Sequence, residues 1–309
     1  MISFITSIEI ISPIFLLILC GTLFKALKLI DQTYINTSNK LLFYLFLPAF
    51  LFTKISRSQL ENIVNLNLIL GCFIGIFMTF LLSYLFVSLK KYPPEVKGSF
   101  IQGSFRGNIG YIGLAIVMSA YGEHALFTAS ILLGFLTPFI NLLAILSFLL
   151  PQKNILNYKG LIKITIDVIL NPIILSSLIG ILFNIYNLPI PKIIDTSLDY
   201  LSKVTLPLAL FIIGGSLKIP HFNKNLLIPI FCNCFKLIIM PFITFIVLHL
   251  LGVQSIDLYI GLIFAAAPTA VVTYVFASQF KGDTELATLI VITSVIFSFF
   301  TYPLLFWFF

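Results

Sequence analysis

Long apolar runs follow one another along almost the whole chain, separated by short segments that contain lysine, asparagine, aspartate or proline. Most of these runs approach the roughly 20 residues that an α-helix needs to cross a bilayer. The pattern predicts an all-α, polytopic membrane protein with ten transmembrane helices. The predicted spans are residues 8–27, 37–56, 66–89, 97–119, 124–149, 161–185, 192–217, 225–250, 256–279 and 284–308.

Lysine and arginine are distributed unequally between the two sides of these spans. Most lie in the connections after spans one, three, five, seven and nine, whereas the opposite side holds Lys54, Arg57, Lys192 and Lys203. Because cytoplasmic loops are enriched in these residues, we expect the lysine-rich side to be cytoplasmic and both termini to be extracytoplasmic. The cytoplasmic lysines would be Lys25, Lys28, Lys40, Lys90, Lys91, Lys97, Lys153, Lys159, Lys163, Lys218, Lys224 and Lys281.

Composition agrees with a protein that lies almost entirely within the bilayer. Charged residues make up 9% of the chain and the mean hydropathy is +1.12, whereas soluble domains contain about 25% charged residues. The first apolar run lacks a basic leader and a small-residue cleavage site, which favours a first span over a removable signal peptide. The net charge of +7 does not indicate nucleic-acid binding, because the lysines lie in short loops. The expected partner is the lipid bilayer, in the cell inner membrane.

The fourth predicted span contains the least ordinary stretch of the chain, QGSFRGNIGYIG at Gln102–Gly113. A glycine inside a helix costs about 1 kcal/mol relative to alanine, and a cation near the bilayer centre costs at least about 2.5 kcal/mol. Non-helical backbone at this depth requires surrounding protein or a water-filled cavity. One interpretation is a broken helix that lines a substrate site. The alternative is a glycine-rich helix packed closely on its neighbours, with Arg106 reaching an interface.

A second interruption occupies the corresponding place in the other half of the chain. The longest connection lies between spans five and six, so that five spans precede it and five follow in the opposite orientation. The sequence Ala265–Ala270, AAAPTA, interrupts span nine as the glycines interrupt span four, and spans two and seven both carry a Leu-Pro pair. Paired Gly/Pro interruptions indicate a transporter built from inverted repeats. The predicted divisions are a first repeat at 1–150, a cytoplasmic linker at 151–160 and a second repeat at 161–309.

Several strings, taken together, resemble the auxin efflux carrier family in its bacterial form, whose fold is of the bile-acid/sodium symporter type. They are SFRGNIGYIGLAI in span four, NPIILSSLIGIL in span six, LPLALFIIGGSL in span seven, FKLIIMP in span eight and the final segment AAAPTAVVTYVFASQFKGDTELATLIVITSVIFSFFTYP. The resemblance covers essentially the whole chain. It departs at Ala115, where the family commonly has a proline after the last glycine of the span-four motif.

The resemblance implies both an architecture and an activity. It implies a scaffold of spans one, two, six and seven, and a moving transport core of spans three to five and eight to ten, in which broken spans four and nine cross. Members of the family export weak organic anions, so the expected function is secondary export of a carboxylate by alternating access. The expected partner is then a small organic anion, and a homodimer is left open.

The candidate substrate-binding residues lie at the two interruptions and at one further cation. The Asn108 amide can bond a freed backbone group and donate to a carboxylate, and Arg106 offers a fork-shaped charge suited to one. Lys236 is a cation at membrane depth and is therefore a functional candidate. For each of these residues a structural role remains the alternative. The remaining candidates are Gly107, Gly110, Gly113, Pro268, Thr269 and Thr273.

Proline at 268 removes a backbone donor and frees a carbonyl about one turn earlier. The half-helices that begin after each break would present unpaired N–H groups and a positive dipole end, which favours an anionic substrate. We read Asn171-Pro172 as a kink in span six and Asp283 as the N-cap of the last span, with Glu285 in its first turn.

We expect no enzyme activity, no catalytic residue, no cofactor and no metal site, because the chain carries no metalloprotease, prenyl-diphosphate or nucleophile–base motif. The four cysteines and three histidines form no ligand cluster. The coupling ion is left open between a proton and sodium. The alternatives to an exporter are a sodium-coupled organic-anion importer of the bile-acid symporter type, an intramembrane enzyme and a membrane sensor.

Overall fold

The computed structural model describes residues 4–57, 65–152, 170–217 and 226–308, and these ranges are almost entirely helical. The all-α prediction is confirmed. Three π-helical turns, Leu42–Phe46, Ile109–Gly113 and Phe235–Ile239, each run directly into the α-helix that follows. The helices are α1 Phe4–Ala26, α2 Gln32–Leu41, α3 Leu47–Ser56, α4 Leu66–Ser88, α5 Pro94–Phe105, α6 Leu114–Leu149, α7 Pro172–Ile185, α8 Lys192–Ser216, α9 Leu227–Cys234, α10 Met240–Leu250, α11 Ser255–Ala266, α12 Val272–Gln279 and α13 Thr284–Phe308.

Six helical segments of the described chain are long and apolar enough to cross a membrane. One of them, Ile109–Leu149, covers the second half of predicted span four and all of predicted span five, and Gly122 breaks it with a left-handed φ of 71°. Predicted span nine is divided into α11 and α12. The first nine residues of predicted span six, 161–169, lie outside the described residues, as does the linker from 153 onward. The division into two inverted five-span repeats stays a prediction.

The helices pack into two groups. The first packing group contains α1, α2, α3, α7 and α8, and the second contains α4, α5, α6 and α9–α13. Within the first group α1 and α8 approach at glycines: a Cβ on Gly214 would lie 1.8 Å from the carbonyl oxygen of Ile18. Within the second group a Cβ on Gly75 would lie 2.3 Å from Thr244 Oγ1.

At two glycines on the boundary between the groups the contacts are looser. A Cβ on Gly110 would lie 3.8 Å from Leu47, and a Cβ on Gly134 would lie 3.4 Å from the Ser177 hydroxyl. These are ordinary van der Waals distances, and among the described glycines no backbone of one group lies close against a glycine of the other. The division into a scaffold and a transport core that the family resemblance implies stays a prediction.

Helix starts follow the expected capping chemistry. Asp283 Oδ1 accepts hydrogen bonds from the amides of Glu285 and Leu286, at 3.1 and 2.9 Å, which confirms Asp283 as the N-cap of α13. The kink predicted at Asn171-Pro172 involves residues 161–169, which lie outside the described residues; within those described, Asn171-Pro172 begins α7. Asn171 Oδ1 accepts from the Ile173 amide at 2.9 Å, and Pro172 occupies the first turn of α7, where a missing N–H costs nothing.

Candidate functional site

The first interruption follows the end of α5. Arg106 has φ −77° and ψ 86°, and Asn108 has φ −80° and ψ 60°, so the helix stops for three residues before the π-turn at Ile109–Gly113. The amide of Gly107 donates to the carbonyl of Phe105 at 2.9 Å. In a continuous helix it would have bonded the carbonyl of Gly103. That carbonyl is therefore released at membrane depth.

The second interruption lies between α11 and α12 and crosses the first. The amide of Asn108 donates to the carbonyl of Pro268 at 2.7 Å, and the amide of Ala270 donates to the carbonyl of Arg106 at 2.9 Å. Gly107 and Thr269 thereby form a short antiparallel β-bridge. The predicted meeting of two broken spans is present in the structure, and each extended segment supplies backbone partners that the other lost on leaving its helix.

Two side chains take up the carbonyls that the breaks release. Thr269 Oγ1 donates to the carbonyl of Gly103 at 2.9 Å. The ammonium of Lys236, in the π-turn that joins α9 to α10, donates to the carbonyl of Ala265, which would have bonded the amide of residue 269 in a continuous helix. That amide instead donates to Ser294 Oγ on α13 at 3.0 Å. The Gly103 and Ala265 carbonyls that the breaks release, and the Thr269 amide, therefore all have side-chain partners.

The glycines serve close packing and not unusual backbone angles. A Cβ on Gly107 would lie 3.2 Å from Lys236 Nζ and 3.2 Å from the carbonyl oxygen of Ala267. A Cβ on Gly113 would lie 3.1 Å from a ring carbon of Phe264. Neither glycine has a positive φ. Residue 107 is glycine because the other chain segment and a lysine side chain pass directly beside it.

Arg106 is 6% exposed and its side chain enters the second packing group. Its Nη2 donates to Asn141 Oδ1 on α6 at 2.8 Å, and the guanidinium carbon lies 4.2 Å from the ring centroid of Phe276 on α12. Its Nη1 is buried and bonds no group among the described residues. Guanidinium can stack on an aromatic ring, so the side chain is held in place with one donor nitrogen free.

Two buried cations therefore flank the crossing without a carboxylate partner. Within the described ranges, the ion pairs join other residues: Lys54 with Glu123, Arg57 with Asp195 and Asp199, and Lys203 with Asp199. Lys236 is fully buried and bonded to a carbonyl and to Met240 Sδ, and Arg106 is bonded to an amide oxygen. Isolated buried charge is costly. The region of the crossing is thus electropositive, and two half-helices begin there.

The structure also corrects one expectation and adds two residues. We expected the Asn108 side chain to bond a freed backbone group, but it makes no cap hydrogen bond in the described structure, and only the Asn108 backbone takes part in the crossing. Gln102 is fully buried, and neither amide atom bonds any described group. It lies four residues before Arg106 and so shares its helix face. That spacing, inside the glycine-rich stretch, was a usable signal. Asn141 had none.

The crossing brings Arg106, Gly107, Asn108, Pro268, Thr269 and Lys236 together. Gly110 and Gly113 lie in the π-turn just beyond, where Gly110 faces Leu47 of the first packing group. Thr273 is the second residue of α12, and its buried hydroxyl bonds no described group. A small apolar cavity of about 10 Å³ adjoins Gly107, between α4, α6, α10 and α11.

Comparison with known proteins gives one family over nearly the whole chain. A family profile described as membrane transport protein matches residues 6–157 and 157–306. An uncharacterized transporter of Methanocaldococcus jannaschii is 24% identical over 94% of this chain and 94% of its own length. A putative malonate transporter of Rhizobium meliloti is 25% identical, with 93% and 90% covered. Auxin efflux carrier component 1 of Arabidopsis thaliana is 24% identical over 48% of this chain and 24% of its own length.

Proposed function

The chain belongs to the membrane transport protein family, and from that premise we propose that it exports a small organic carboxylate by alternating access. The family membership makes it a multi-pass membrane transporter. The cargo, the direction and the mechanism are our proposal. The similarity to a putative malonate transporter supports a carboxylate cargo, and the similarity to auxin efflux carriers supports export.

One observation carries the proposal: two interrupted helices meet beside two buried cations that have no carboxylate partner in the described chain. The first amides of the half-helix that starts after Asn108 have no partner within their own helix, and the dipole of that half-helix favours negative charge. In the other half-helix the amides of Thr273 and Tyr274 already donate to the carbonyls of Ala270 and Val271. An anion at the crossing would take up the donors after Asn108 and the free Nη1 of Arg106. A neutral or cationic cargo would leave them unpaired.

The substrate would then lie between the two packing groups. Gly110 and Tyr111, which follow Asn108, contact Leu47 of α3 and the cluster of Ile35, Leu42, Ala209 and Ile212 on the first packing group. We propose that the side-chain amide of Asn108 and the backbone amides of the π-turn bind one carboxylate there. The second packing group would then carry this carboxylate across the membrane. Pro268, Thr269, Gly107 and Gly113 shape the crossing, and Arg106 and Thr273 offer free donors.

We further propose the full architecture predicted above: ten spans in two inverted repeats, in the inner membrane, with both termini extracytoplasmic. The lysine distribution supports this orientation. A reporter enzyme fused after Phe309 should be active only on the extracytoplasmic side. A cytoplasmic signal from that fusion contradicts the orientation.

Sodium coupling is disfavoured by the position of Lys236. Sodium at a helix break would need oxygen ligands, and the carbonyl of Ala265 that the second break releases already accepts from the Lys236 ammonium. We therefore propose that the Lys236 ammonium takes the place of the sodium ion that an importer of the bile-acid symporter type would need. Counterflow should proceed at the same rate when sodium is replaced by potassium or choline. A strict sodium requirement contradicts this proposal and favours the importer.

The experiment that tests the cargo is counterflow in proteoliposomes against a panel of mono- and dicarboxylates. We expect exchange of at least one carboxylate by the native protein and a loss of about tenfold or more for Asn108→Ala, since a buried amide that binds a charged group contributes about 1.5–3 kcal/mol. The matched control is Asn67→Ala, an exposed asparagine that bonds the Leu251 carbonyl far from the crossing. No exchange of any anion refutes the cargo, and an unimpaired Asn108→Ala variant refutes the site.

A further inference from the structure

Two polar contacts join the two packing groups at one short segment of α6. Ser119 Oγ donates to the carbonyl of Ile10 on α1 at 2.7 Å. Glu123 accepts from Lys54 Nζ, at the last turn of α3, at 2.6 Å. Ser119 and Glu123 stand on either side of Gly122. Both contacts, Ser119–Ile10 and Glu123–Lys54, lie at the end of the helices that the lysine distribution places outside the cytoplasm.

The backbone between Ser119 and Glu123 is bent at a glycine. Gly122 has φ 71° and ψ −165°, a combination that residues with a side chain rarely adopt. A Cβ at this position would meet nothing within 4 Å, so packing does not require glycine there. The bend interrupts α6 and turns Glu123 toward α3, which belongs to the other packing group.

A second set of charges at the same end stays inside the first packing group. Arg57, which follows α3, pairs with Asp195 and Asp199 of α8 at 2.6 and 3.2 Å, and Lys203 pairs with Asp199 at 2.7 Å. Helices α3 and α8 pack directly on each other. A movement of the second packing group leaves these pairs intact and has to break the Glu123–Lys54 pair. The two sets of pairs therefore differ in which helices they join.

We propose that the Glu123–Lys54 pair, with Ser119, is a latch that holds the extracytoplasmic ends of the two packing groups together in this state of the transport cycle, and that it opens when they move. This proposal rests on the proposed function, since only a transporter needs the groups to separate. Exposed ion pairs contribute little, and Glu123 has a side chain that is 69% exposed. A weak contact suits a latch that must open in every cycle, because a strong one would trap the closed state.

The first test measures the distance between the groups without any substrate. Spin labels are placed at Tyr200→Cys on α8 and Met118→Cys on α6, both exposed positions, after Cys20 and Cys234 are replaced by serine. We expect Glu123→Gln to raise the ratio of separated to closed protein about two- to five-fold, the range for an exposed pair. The exchanged pair Lys54→Glu with Glu123→Lys should restore the native distribution. The matched control, Arg57→Gln, should leave it unchanged.

An unchanged distribution in Glu123→Gln overturns the proposal, as does an equal shift in Arg57→Gln or a failure of the exchanged pair to restore the native distances. The second test links Lys54→Cys to Glu123→Cys with a short, reducible thiol-to-thiol reagent. Linked protein should lose counterflow and regain it on reduction, whereas a link between Arg57→Cys and Asp195→Cys should leave counterflow intact. Undiminished counterflow by the 54–123 linked protein overturns the latch, and so does an arrest by both links.

The two proposals fail separately. If the native protein exchanges no carboxylate while the spin-label distances still respond to Glu123→Gln and to the exchanged pair, the cargo is wrong and the latch stands. If counterflow is present but the distances are the same in every variant, the cargo stands and the latch is wrong.

Discussion

Thr269 provides the sharpest test of how the crossing is stabilised. The residue is fully buried, and its hydroxyl donates to the Gly103 carbonyl that the first break releases. Thr269→Val keeps the shape of the side chain and removes the donor. A buried acceptor without a partner costs about 1–3 kcal/mol, whereas hydrogen bonds between membrane helices average about 0.6 kcal/mol. We therefore expect Thr269→Val to lower the free energy of unfolding by about 1–2 kcal/mol.

The assay is thermal unfolding in detergent, followed by counterflow on the same preparations. Thr269→Val should unfold a few degrees below the native protein, while its KM for the exchanged carboxylate stays unchanged, because the hydroxyl is occupied by the backbone. Thr269→Ser keeps the donor and is the matched control, with only a methyl group lost. If Thr269→Val unfolds with the native protein, the bond does not stabilise the crossing. A raised KM would show that the hydroxyl binds substrate.

Three further substitutions test the crossing and the packing groups. Lys236→Met should lower the unfolding temperature, because the Ala265 carbonyl loses its donor; an unchanged temperature contradicts the role proposed for the Lys236 ammonium. Arg106→Gln should raise the counterflow KM about tenfold or more, the effect of losing a charged donor, and an unchanged KM would show that Arg106 is structural. Gly214→Ala should destabilise by about 1–3 kcal/mol or more, because its Cβ would overlap the backbone of α1; Gly134→Ala, with ordinary contacts, is the control and should unfold with the native protein.

The hydrophobic pattern predicts the all-helical class, because a membrane span is defined by its own composition and length, and six helical segments of the described chain meet those criteria. The two interruptions are also visible in sequence, since glycine clusters and an internal proline disfavour a continuous helix wherever they occur. The N-cap at Asp283 is equally local. Each of these predictions depends on residues that lie within one or two turns of each other.

The partners of the crossing could not be predicted in the same way. Ser294 and Lys236 lie far from each other in sequence and reach the breaks only because α13 and the turn before α10 pack beside them. Asn141 has no local feature that marks it as the partner of Arg106. The Asn108 side chain was expected to support its own break, but the opposing segment supplies the partners instead. Long-range proximity decides which polar group satisfies which, and one sequence does not encode proximity in a readable pattern.

The missing proline at position 115 shows what maintains the first break. A proline would prevent the helix bond whatever its surroundings, but Ala115 allows one, and glycine only weakens the helix. The break persists because Asn108 and Ala270 exchange backbone bonds across the crossing and Thr269 takes the Gly103 carbonyl. The two breaks therefore support each other, and at the second break Pro268 also removes a helix donor. Both segments belong to the second packing group, so we expect them to move as one unit in the transport mechanism proposed above.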